Sequence, residues 1–332
     1  MTSFARHLKA ATPQLVAFAL VLLANWIVFP DFFAIRIQDG RLYGSLVDVF
    51  NRGAPVALLA IGMTLVIATK GIDLSVGAVM AIAGATAATL VNAGYPAGTA
   101  LILALAAGLA CGLWNGILVA LLDIQPIIAT LILMVAGRGI AQLITEGQIV
   151  TFVDPALIFV GSGAILGIPM PVIITLLALG LTIALYRLTA LGMLTEAIGI
   201  NRRASAYAGV NARALLLVAY AWCGLTAALA GVIAAADIKG ADANNAGLWL
   251  ELDAILAVVI GGTSLFGGRF FLILSFIGAL IIQAMNTGIL LSGFKPEFNL
   301  IVKALVILAL LLMQSGAAAG LVDRLALLRR RA

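Results

Sequence analysis

The sequence predicts an all-α membrane protein with about ten transmembrane helices, and three observations support this. Hydrophobic residues make up 64% of the 332 residues and charged residues only 10%, whereas the surface of a soluble domain needs more charge. Apolar runs of about 20 residues recur, which is long enough for a helix to cross ~30 Å of hydrocarbon. The runs lack the alternation of apolar and polar residues that is typical of transmembrane β-strands, so we expect helices.

The apolar runs place the helices, in chain order, at about 13–30, 53–70, 72–92, 98–122, 126–145, 169–187, 212–236, 248–266, 270–291 and 299–316. The first run resembles a signal peptide, but it lacks a convincing small-x-small cleavage site before Asn25, so we expect a retained helix. Segment 248–266 is the least regular, because Asp253 interrupts it and glycine pairs follow at 261–262 and 267–268. We expect this segment to be tilted, broken or re-entrant. Nine or eleven helices are the alternatives to ten.

The distribution of charge predicts the orientation. With the N-terminus in the cytoplasm, the cytoplasmic segments hold twelve of the 19 basic residues and four of the 14 acidic ones. The basic ones are Arg6, Lys9, Lys70, Arg187, Arg202, Arg203, Arg213, Arg269, Arg324, Arg329, Arg330 and Arg331. The positive-inside rule therefore predicts that both termini are cytoplasmic. The same bias accounts for the net charge of +5 without a nucleic-acid partner.

The residues offer no catalytic or cofactor chemistry that we recognise. The sequence contains no GxxxxGK[ST] loop, no GxSxG elbow and no HExxH, so we expect neither ATP binding of the P-loop kind nor hydrolase activity. Its single histidine, His7, lies in the N-terminal tail, and the two cysteines have no metal-binding spacing. Carboxylates avoid the predicted helix centres, which counts against a proton-driven carrier. We therefore predict a non-enzymatic protein that binds no metal or cofactor itself.

One polar segment stands out between the predicted sixth and seventh helices. Residues 196–213 read EAIGINRRASAYAGVNAR and lie in the predicted cytoplasmic loop 188–211. Glu196, Ala197, Ala204 and Ala206 favour a short helix, which Gly199 and Gly209 would bracket. Two interpretations stay open: a solvated connector whose arginines follow the positive-inside rule, or a docking helix for a cytoplasmic protein.

Polar residues within the apolar runs are candidates for a translocation pathway. The favoured pairs are Trp114–Asn115 on the fourth helix and Asn286–Thr287 on the ninth. Neutral amide and hydroxyl groups with an aromatic ring suit a polyol better than an ion; interhelical hydrogen bonding is the alternative. Arg138 lies in the fifth helix with Gln142 one turn later, so it should face a polar cavity or partner, or else snorkel to the interface.

Glycine is abundant, with 35 residues, and its spacing predicts close helix packing. Gly108, Gly112 and Gly116 have small-xxx-small spacing, which lets helix backbones approach each other in lipid. Two stretches, 61–78 and 256–273, are distantly alike: each has an apolar run, a glycine-rich polar break and a second apolar run. We treat them as a hypothetical internal repeat.

Several motifs resemble those of the membrane permeases of ribose-type ATP-binding-cassette sugar importers. The resemblance covers roughly 14–315 and rests on NRGAPVALLAIGMTLVIATKGIDLSVGAVMAIAGA, GLWNGILVA, IQPIIATLILMVAGRGIAQLIT, EAIGINRRASAYAGVNAR and ELDAILAVVIGGTSLFGGR. The family-specific positions are Gly71, Asp73, Ser75 and Gly77 in GIDLSVG, and Gly261, Gly262, Gly267 and Gly268 in GGTSLFGG. Within the family, GADANNAGLWLELDAILAVVIGG and AMNTGILLSGF resemble the galactofuranose importers.

The resemblance implies a type II, vitamin B12-importer-like permease fold in the bacterial inner membrane. It implies one transmembrane permease domain over 1–332, with cytoplasmic tails at 1–12 and 317–332. The implied partners are a second, related permease chain that completes a heterodimer, an ATPase with two fused domains, and a periplasmic sugar-binding protein. ATP and Mg²⁺ would be used by the ATPase. Loop 188–211 would be the coupling loop, and Glu196, Gly199, Asn201, Arg202 and Gly209 would contact the ATPase.

The motif departs from the family at one position, since GGIDLSVG is the more familiar form and Lys70 precedes Gly71 here. Lys70 suits a cytoplasmic boundary and would be costly deep in the membrane. Three alternatives to a galactofuranose permease stay open. These are a permease for another pentose or hexose, a permease for a vitamin or metal chelate, and an ATP-independent secondary carrier.

Overall fold

The computed structural model describes residues 3–38, 40–293, 295 and 298–305. The chain divides into two compact units, one up to Ala284 and one from Met285 onwards. The second unit contains the last turns of the helix that ends at Leu291, and a helical stretch at 298–305. The predicted tail 317–332 and the predicted helix beyond residue 305 lie outside the described residues.

Within the described residues up to 293, twelve α-helices follow one another. They are α1 (Ser3–Val28), α2 (Ser45–Ala68), α3 (Val76–Asn92), α4 (Ala97–Ala120), α5 (Pro126–Ile144), α6 (Pro155–Ser162), α7 (Met170–Arg187), α8 (Leu191–Ile200), α9 (Arg202–Tyr207), α10 (Ala212–Asp237), α11 (Leu250–Ile260) and α12 (Leu272–Leu291). Six of these, α2, α4, α5, α7, α10 and α12, are long and apolar enough to cross a membrane. The fold is thus that of a mostly helical, polytopic membrane protein, while a total of about ten spanning helices stays a prediction.

Several boundaries differ from the sequence-based ones for local reasons. Helix α2 begins at Ser45 instead of at about 53, because residues 45–52, in which Asp48, Asn51 and Arg52 interrupt the apolar pattern, continue the helix. Helix α3 begins at Val76 instead of 72, since residues 69–75 form a turn around the family motif. Helix α11 ends at Ile260 rather than 266, where Gly261 follows and Gly262 adopts φ = +83°. The irregular segment 248–266 is therefore a short helix followed by a non-helical segment.

Helix α10 lies at the centre of the first unit, where it packs against α2, α3, α4 and α6. Its contact with α4 is made by glycines. A Cβ atom added to Gly112 would lie 3.0 Å from the Cα of Ala221 and 3.1 Å from the Cα of Gly224. The small-residue packing predicted for Gly108 and Gly112 is confirmed, because backbone meets backbone here and no larger side chain fits.

Short strands gather at one end of the first unit, and the sequence did not predict them. Strand β1 (Arg36–Gln38) pairs with β2 (Arg41–Tyr43), β4 (Ala164–Ile165) pairs with β5 (Ile168–Pro169), and β3 (Val150–Thr151) pairs with β6 (Gly240–Ala241), all antiparallel. We call this the hairpin end. The opposite end carries the two short helices that interrupt the chain between α7 and α10, and we call it the α8–α9 end.

Candidate functional site

Three separate segments meet at the α8–α9 end, at a contact that we call the glycine junction. It is formed by Ala68 and Lys70 after α2, by Gly199 and Ile200 at the end of α8, and by Gly267–Gly268 between α11 and α12. The backbone N–H of Gly268 donates to the carbonyl of Ala68 at 2.9 Å. The Nζ of Lys70 donates to the carbonyl of Ile200 at 2.9 Å. The junction therefore connects both glycine-rich motifs with the predicted coupling loop.

Gly199 is required at this junction because the backbones touch. A Cβ atom added to Gly199 would collide with the carbonyl oxygen of Ala68 and would lie 2.6 Å from the amide nitrogen of Gly268. Such distances are below any normal contact, and the opposing atoms are backbone that cannot rotate away. The prediction that Gly199 brackets a helix is wrong: Gly199 lies within the last turn of α8, where it permits close contact.

Lys70 has a left-handed backbone, with φ = +66°. Glycine adopts this conformation at little cost, which agrees with the glycine of the more familiar family motif. The Lys70 side chain is exposed at the end of α2 and is not buried in the middle of a helix. The structure thus places Lys70 at a helix boundary, where a positive charge is inexpensive.

The two stretches of the hypothetical repeat share a helix–break–helix form. Stretch 61–78 joins α2 to α3, and stretch 256–273 joins α11 to α12. Their breaks meet at the glycine junction, since Gly267 would place a Cβ atom 3.1 Å from the amide nitrogen of Lys70. The second break also packs tightly against α12, the helix that follows it, because a Cβ atom on Gly261 would lie 2.6 Å from the Ser275 nitrogen.

The predicted coupling segment contains two short helices instead of one. Helix α8 ends at Ile200, and Asn201 then caps α9 because its side-chain oxygen accepts from the Ala204 N–H at 3.0 Å, which satisfies a free donor of the first turn. Gly209, with φ = +84°, ends α9 as expected. Glu196 is half-buried on α8. The sequence does not predict the break at Asn201, because a capping asparagine within a polar segment has no distinct sequence pattern.

Arg202 fixes α9 to the rest of the α8–α9 end. Its guanidinium Nη1 lies 3.1 Å from the Oδ1 of Asp123, in the turn between α4 and α5. Both side chains are substantially exposed, so the direct contribution to stability is small. The ion pair instead fixes where α9 sits relative to α4 and α5.

A buried polar cluster fills the break between α2 and α3. The Oδ1 of Asp73 accepts from the N–H of Ser75 at 2.9 Å and from its hydroxyl at 2.6 Å. The Nδ2 of Asn115, on α4, donates to the Ser75 Oγ at 2.8 Å. Asp73 is 1% exposed and Asn115 is 0% exposed. The family motif positions Asp73 and Ser75 for this cluster, and Asn115 joins it to α4.

Trp114 and Asn115 point in different directions. Trp114 is 51% exposed on the outer surface of α4, whereas Asn115 is enclosed in the polar cluster. The structure therefore does not bring this predicted pathway pair together on one surface. Asn286 and Thr287 lie on α12 in the second unit, and their pathway role stays a prediction.

Arg138 holds the segment between β6 and α11 at the hairpin end. Its Nη1 donates to the carbonyl of Ala246 at 2.5 Å and to that of Ala243 at 3.1 Å. Gln142, one turn along α5, donates from Nε2 to the Oδ1 of Asn244 at 2.7 Å. Arg138 thus donates to two backbone carbonyls, which are polar partners of the kind that a charged residue in an apolar helix needs. The sequence did not identify residues 243–246 as the partner, because carbonyl groups carry no residue signature.

The same segment is held in its own turn by Asp242. The side chain of Asn245 donates to the Oδ2 of Asp242 at 2.7 Å, and this hydrogen bond holds the pKa of Asp242 below its usual value. Gly77 of the family motif packs directly against the segment, since a Cβ atom on Gly77 would collide with the carbonyl oxygen of Gly247. The GIDLSVG motif therefore contacts the segment that Arg138 holds.

Comparisons with known proteins show the family to which the chain belongs. The profile of the family described as "Branched-chain amino acid transport system / permease component" matches residues 45–311. The galactofuranose transporter permease protein YtfT of Escherichia coli (strain K12) is 66% identical over 91% of this chain and 89% of its own. The fructose import permease protein FruF of Bifidobacterium longum is 42% identical over 92% of this chain and 87% of its own. The ribose import permease protein RbsC of E. coli (strain K12) is 39% identical over 91% of this chain and 92% of its own.

No solved structure shows a significant match to the chain, so the type II fold stays a prediction. Within the residues that the structure describes, no three His, Cys, Asp or Glu residues come close enough to hold a metal ion. The family match spans most of the chain, including the glycine junction and the buried polar cluster, and its relatives are named as transport permeases. The chain therefore belongs to the family of membrane permease components that includes the ribose, fructose and galactofuranose permeases.

Proposed function

We propose that this chain is a transmembrane subunit of an ATP-driven importer of galactofuranose. The observation that carries the proposal is the 66% identity, over nearly the full length, to a galactofuranose transporter permease. The fructose and ribose permeases are considerably less similar, at 42% and 39%. An import permease for another pentose or hexose is the second candidate, because those relatives carry such sugars by name.

The α8–α9 segment is the element that we propose to contact the ATPase. These two helices lie at the ends of the spanning helices. On them or beside them lie Glu196, Asn201, Arg202 and Gly209. Large side chains such as Tyr207 and Met193 are exposed there, at 92% and 70%. Exposed apolar side chains on a short rigid helix suit contact with a soluble protein. In this arrangement the ATPase binds and hydrolyses ATP with Mg²⁺, and the permease has no catalytic role.

The glycine junction gives a route from the ATPase contact to the membrane helices. A shift of α8 must move the Ile200 carbonyl and Gly199, and these touch Lys70 and Ala68 at the end of α2 and Gly268 before α12. ATP can change the pathway only if the ATPase contacts the α8–α9 segment differently in two states. The tight backbone contacts at the junction favour transmission as a rigid unit.

The remaining partners follow from the two ends of the molecule. We propose that the α8–α9 end faces the cytoplasm together with both termini, as the charge distribution predicts. The hairpin end would then meet a periplasmic sugar-binding protein, with the Arg138-held segment close to the site of sugar entry. A second, related permease would complete the pathway. The exposed ring of Trp114 suits either the interface with this second permease or the pathway. The buried Asn115 would act on the pathway only through the polar cluster.

Uptake by reconstituted vesicles tests this function. Proteoliposomes would contain this chain, its partner permease and the ATPase, with ATP inside and the galactofuranose-loaded binding protein outside. We expect labelled galactofuranose to accumulate with ATP and not with a non-hydrolysable analogue. Accumulation that is equal with both nucleotides would contradict an ATP-driven importer, and accumulation of ribose or fructose alone would favour the second candidate.

A further inference from the structure

A pocket of about 500 Å³ lies beneath the α8–α9 segment. Three basic side chains, Lys70, Arg202 and Arg203, form its rim, and Val119, Ile198 and Leu216 form its floor. We call this the basic pocket and define it by these six residues. Its volume is in the range of pockets that bind small molecules or head groups.

The rim of the basic pocket carries excess positive charge. Asp123 is its one acidic lining residue, and Arg202 pairs with it at 3.1 Å. Lys70 uses one of its three N–H donors on the Ile200 carbonyl. Arg203 is exposed, so its guanidinium is accessible to an anion.

The floor of the same pocket is apolar. Val119 is 3% exposed, Ile198 3% and Leu216 4%, so these side chains form a packed surface beneath the cationic rim. These side chains close the pocket from within and leave almost no apolar surface for a ligand. The pocket therefore suits an anionic group, and any apolar body joined to that group would lie outside the pocket.

The position of the pocket indicates the depth in the membrane. Helix α2 ends at Ala68, α4 ends at Ala120 and α5 begins at Pro126, and all three ends adjoin the pocket. The ends of spanning helices lie near the lipid head groups. The basic rim is thus at the level where phosphate groups of the bilayer are found.

An exposed apolar surface leads away from the pocket along α4 and α5. Beside the pocket it contains Leu121, Leu122, Ile127 and Ile128, and further along α5 it contains Leu131, Ile132 and Val135. Leu122 is 62% exposed and Ile128 is 51% exposed. This surface runs in the direction of the hydrocarbon core, where acyl chains would cover it.

We propose that the basic pocket binds the phosphate of an anionic phospholipid, whose acyl chains lie along the exposed faces of α4 and α5. Arg203 offers the fork of donors that matches a phosphate, and Lys70 adds a point charge. Basic pockets between spanning helices bind lipid head groups in this way. The bound lipid would also hold α9 against the α4–α5 turn. The proposal does not depend on which sugar is carried.

Native mass spectrometry of the purified complex tests the proposal. The probes are dioleoyl phosphatidylglycerol, dioleoyl phosphatidylcholine and inorganic phosphate. We expect selective retention of phosphatidylglycerol, and an affinity about fivefold weaker in Arg203→Gln, since a basic residue near the surface contributes about 1 kcal/mol. Arg269→Gln is the matched control, because Arg269 is an exposed arginine that does not line the pocket.

Several outcomes would overturn the proposal. Equal retention of both lipids, or an equal loss in Arg203→Gln and Arg269→Gln, would remove the specific site. Displacement of the lipid by millimolar inorganic phosphate would assign the pocket to a free anion. Weaker association of the ATPase in Arg203→Gln, with unchanged lipid binding, would assign Arg203 to a protein contact.

A second measurement needs no substitution. A phosphatidylglycerol with a photoreactive group near its phosphate would be cross-linked to the unmodified complex in vesicles. We expect the label in the peptides that contain 119–128 and 198–203. Labelling that is spread evenly over the helix ends at both sides of the membrane would contradict a defined lipid site.

Discussion

The backbone amide of Gly268 donates a hydrogen bond to the carbonyl of Ala68 at 2.9 Å. The two residues are far apart in sequence and belong to the two stretches of the hypothetical repeat, 61–78 and 256–273. Gly199 of α8 lies against both of them. A change in the position of α8 therefore reaches α2 and the segment before α12 at the same point.

Replacing Gly199 should uncouple the transporter. In Gly199→Ala, the new Cβ atom would meet two backbone groups, so α8 must move away, at a cost of about 1–3 kcal/mol or more. We expect a lower melting temperature and a loss of sugar-stimulated ATP hydrolysis, measured on the purified complex. Gly180→Ala is the control, because no atom lies within 4 Å of its added Cβ. Equal behaviour of the two variants would show that the close contact at Gly199 has no consequence.

Lys70 allows backbone strain to be separated from its hydrogen bond. Lys70→Gly relieves the left-handed backbone, which costs a non-glycine residue about 1–2 kcal/mol, but it loses the bond to Ile200. Lys70→Met keeps the strain and loses the same bond. We expect Lys70→Gly to have the higher melting temperature of the two, and both to show weaker stimulation by the binding protein. A melting temperature of Lys70→Gly below that of Lys70→Met would refute this assignment.

Replacing the neighbours Trp114 and Asn115 by alanine should affect thermal stability to different extents. Asn115→Ala removes the buried amide that donates to the Ser75 Oγ and opens space in the polar cluster, at a cost of about 1–3 kcal/mol. We expect a clear fall in thermal stability for Asn115→Ala, measured by thermal unfolding in detergent. Trp114→Ala removes an exposed ring and should leave stability nearly unchanged. A larger loss for Trp114→Ala than for Asn115→Ala would contradict the buried position of the amide.

Arg138 should control the mobility of the segment between β6 and α11. In Arg138→Gln the side chain is too short to reach the Ala243 and Ala246 carbonyls, so the segment keeps only the hydrogen bond from Gln142 to Asn244 as its side-chain hydrogen bond to α5. Hydrogen exchange mass spectrometry should show faster exchange of backbone amides in 242–249, while the β1–β2 hairpin exchanges as before. Unchanged exchange at 242–249 would indicate that the segment is held by other contacts.

The sequence predicts the helices well because apolar runs of membrane length are a strong local signal. The predicted limits of the fifth helix, 126–145, nearly match α5 (Pro126–Ile144), where Pro126 sets the start. The limits of α2 and α11 are less accurate, because the mixed polar and apolar residues 45–52 extend α2 beyond the continuous apolar run and glycine shortens α11. The short strands escape prediction, since two- and three-residue pairings depend on how distant loops meet.

The candidate residues were predictable by type but not by position in space. The motif glycines were identified, yet their contact depends on three segments that meet only in the folded chain. Arg138 was identified as a charge that needs a partner, while its partners are carbonyl groups of a loop. Asn115 was assigned to the pathway because of its polarity, whereas its burial follows from the face of α4 on which it lies.

The most direct test of the central claim is ATP hydrolysis by the reconstituted complex of this chain, its partner permease and the ATPase. Hydrolysis would be measured with sugar-free binding protein and with binding protein loaded with galactofuranose. The account predicts clear stimulation by the galactofuranose-loaded protein and its loss in Gly199→Ala. Sugar transport by this chain alone, at a rate that is indifferent to ATP and to the binding protein, would contradict the account.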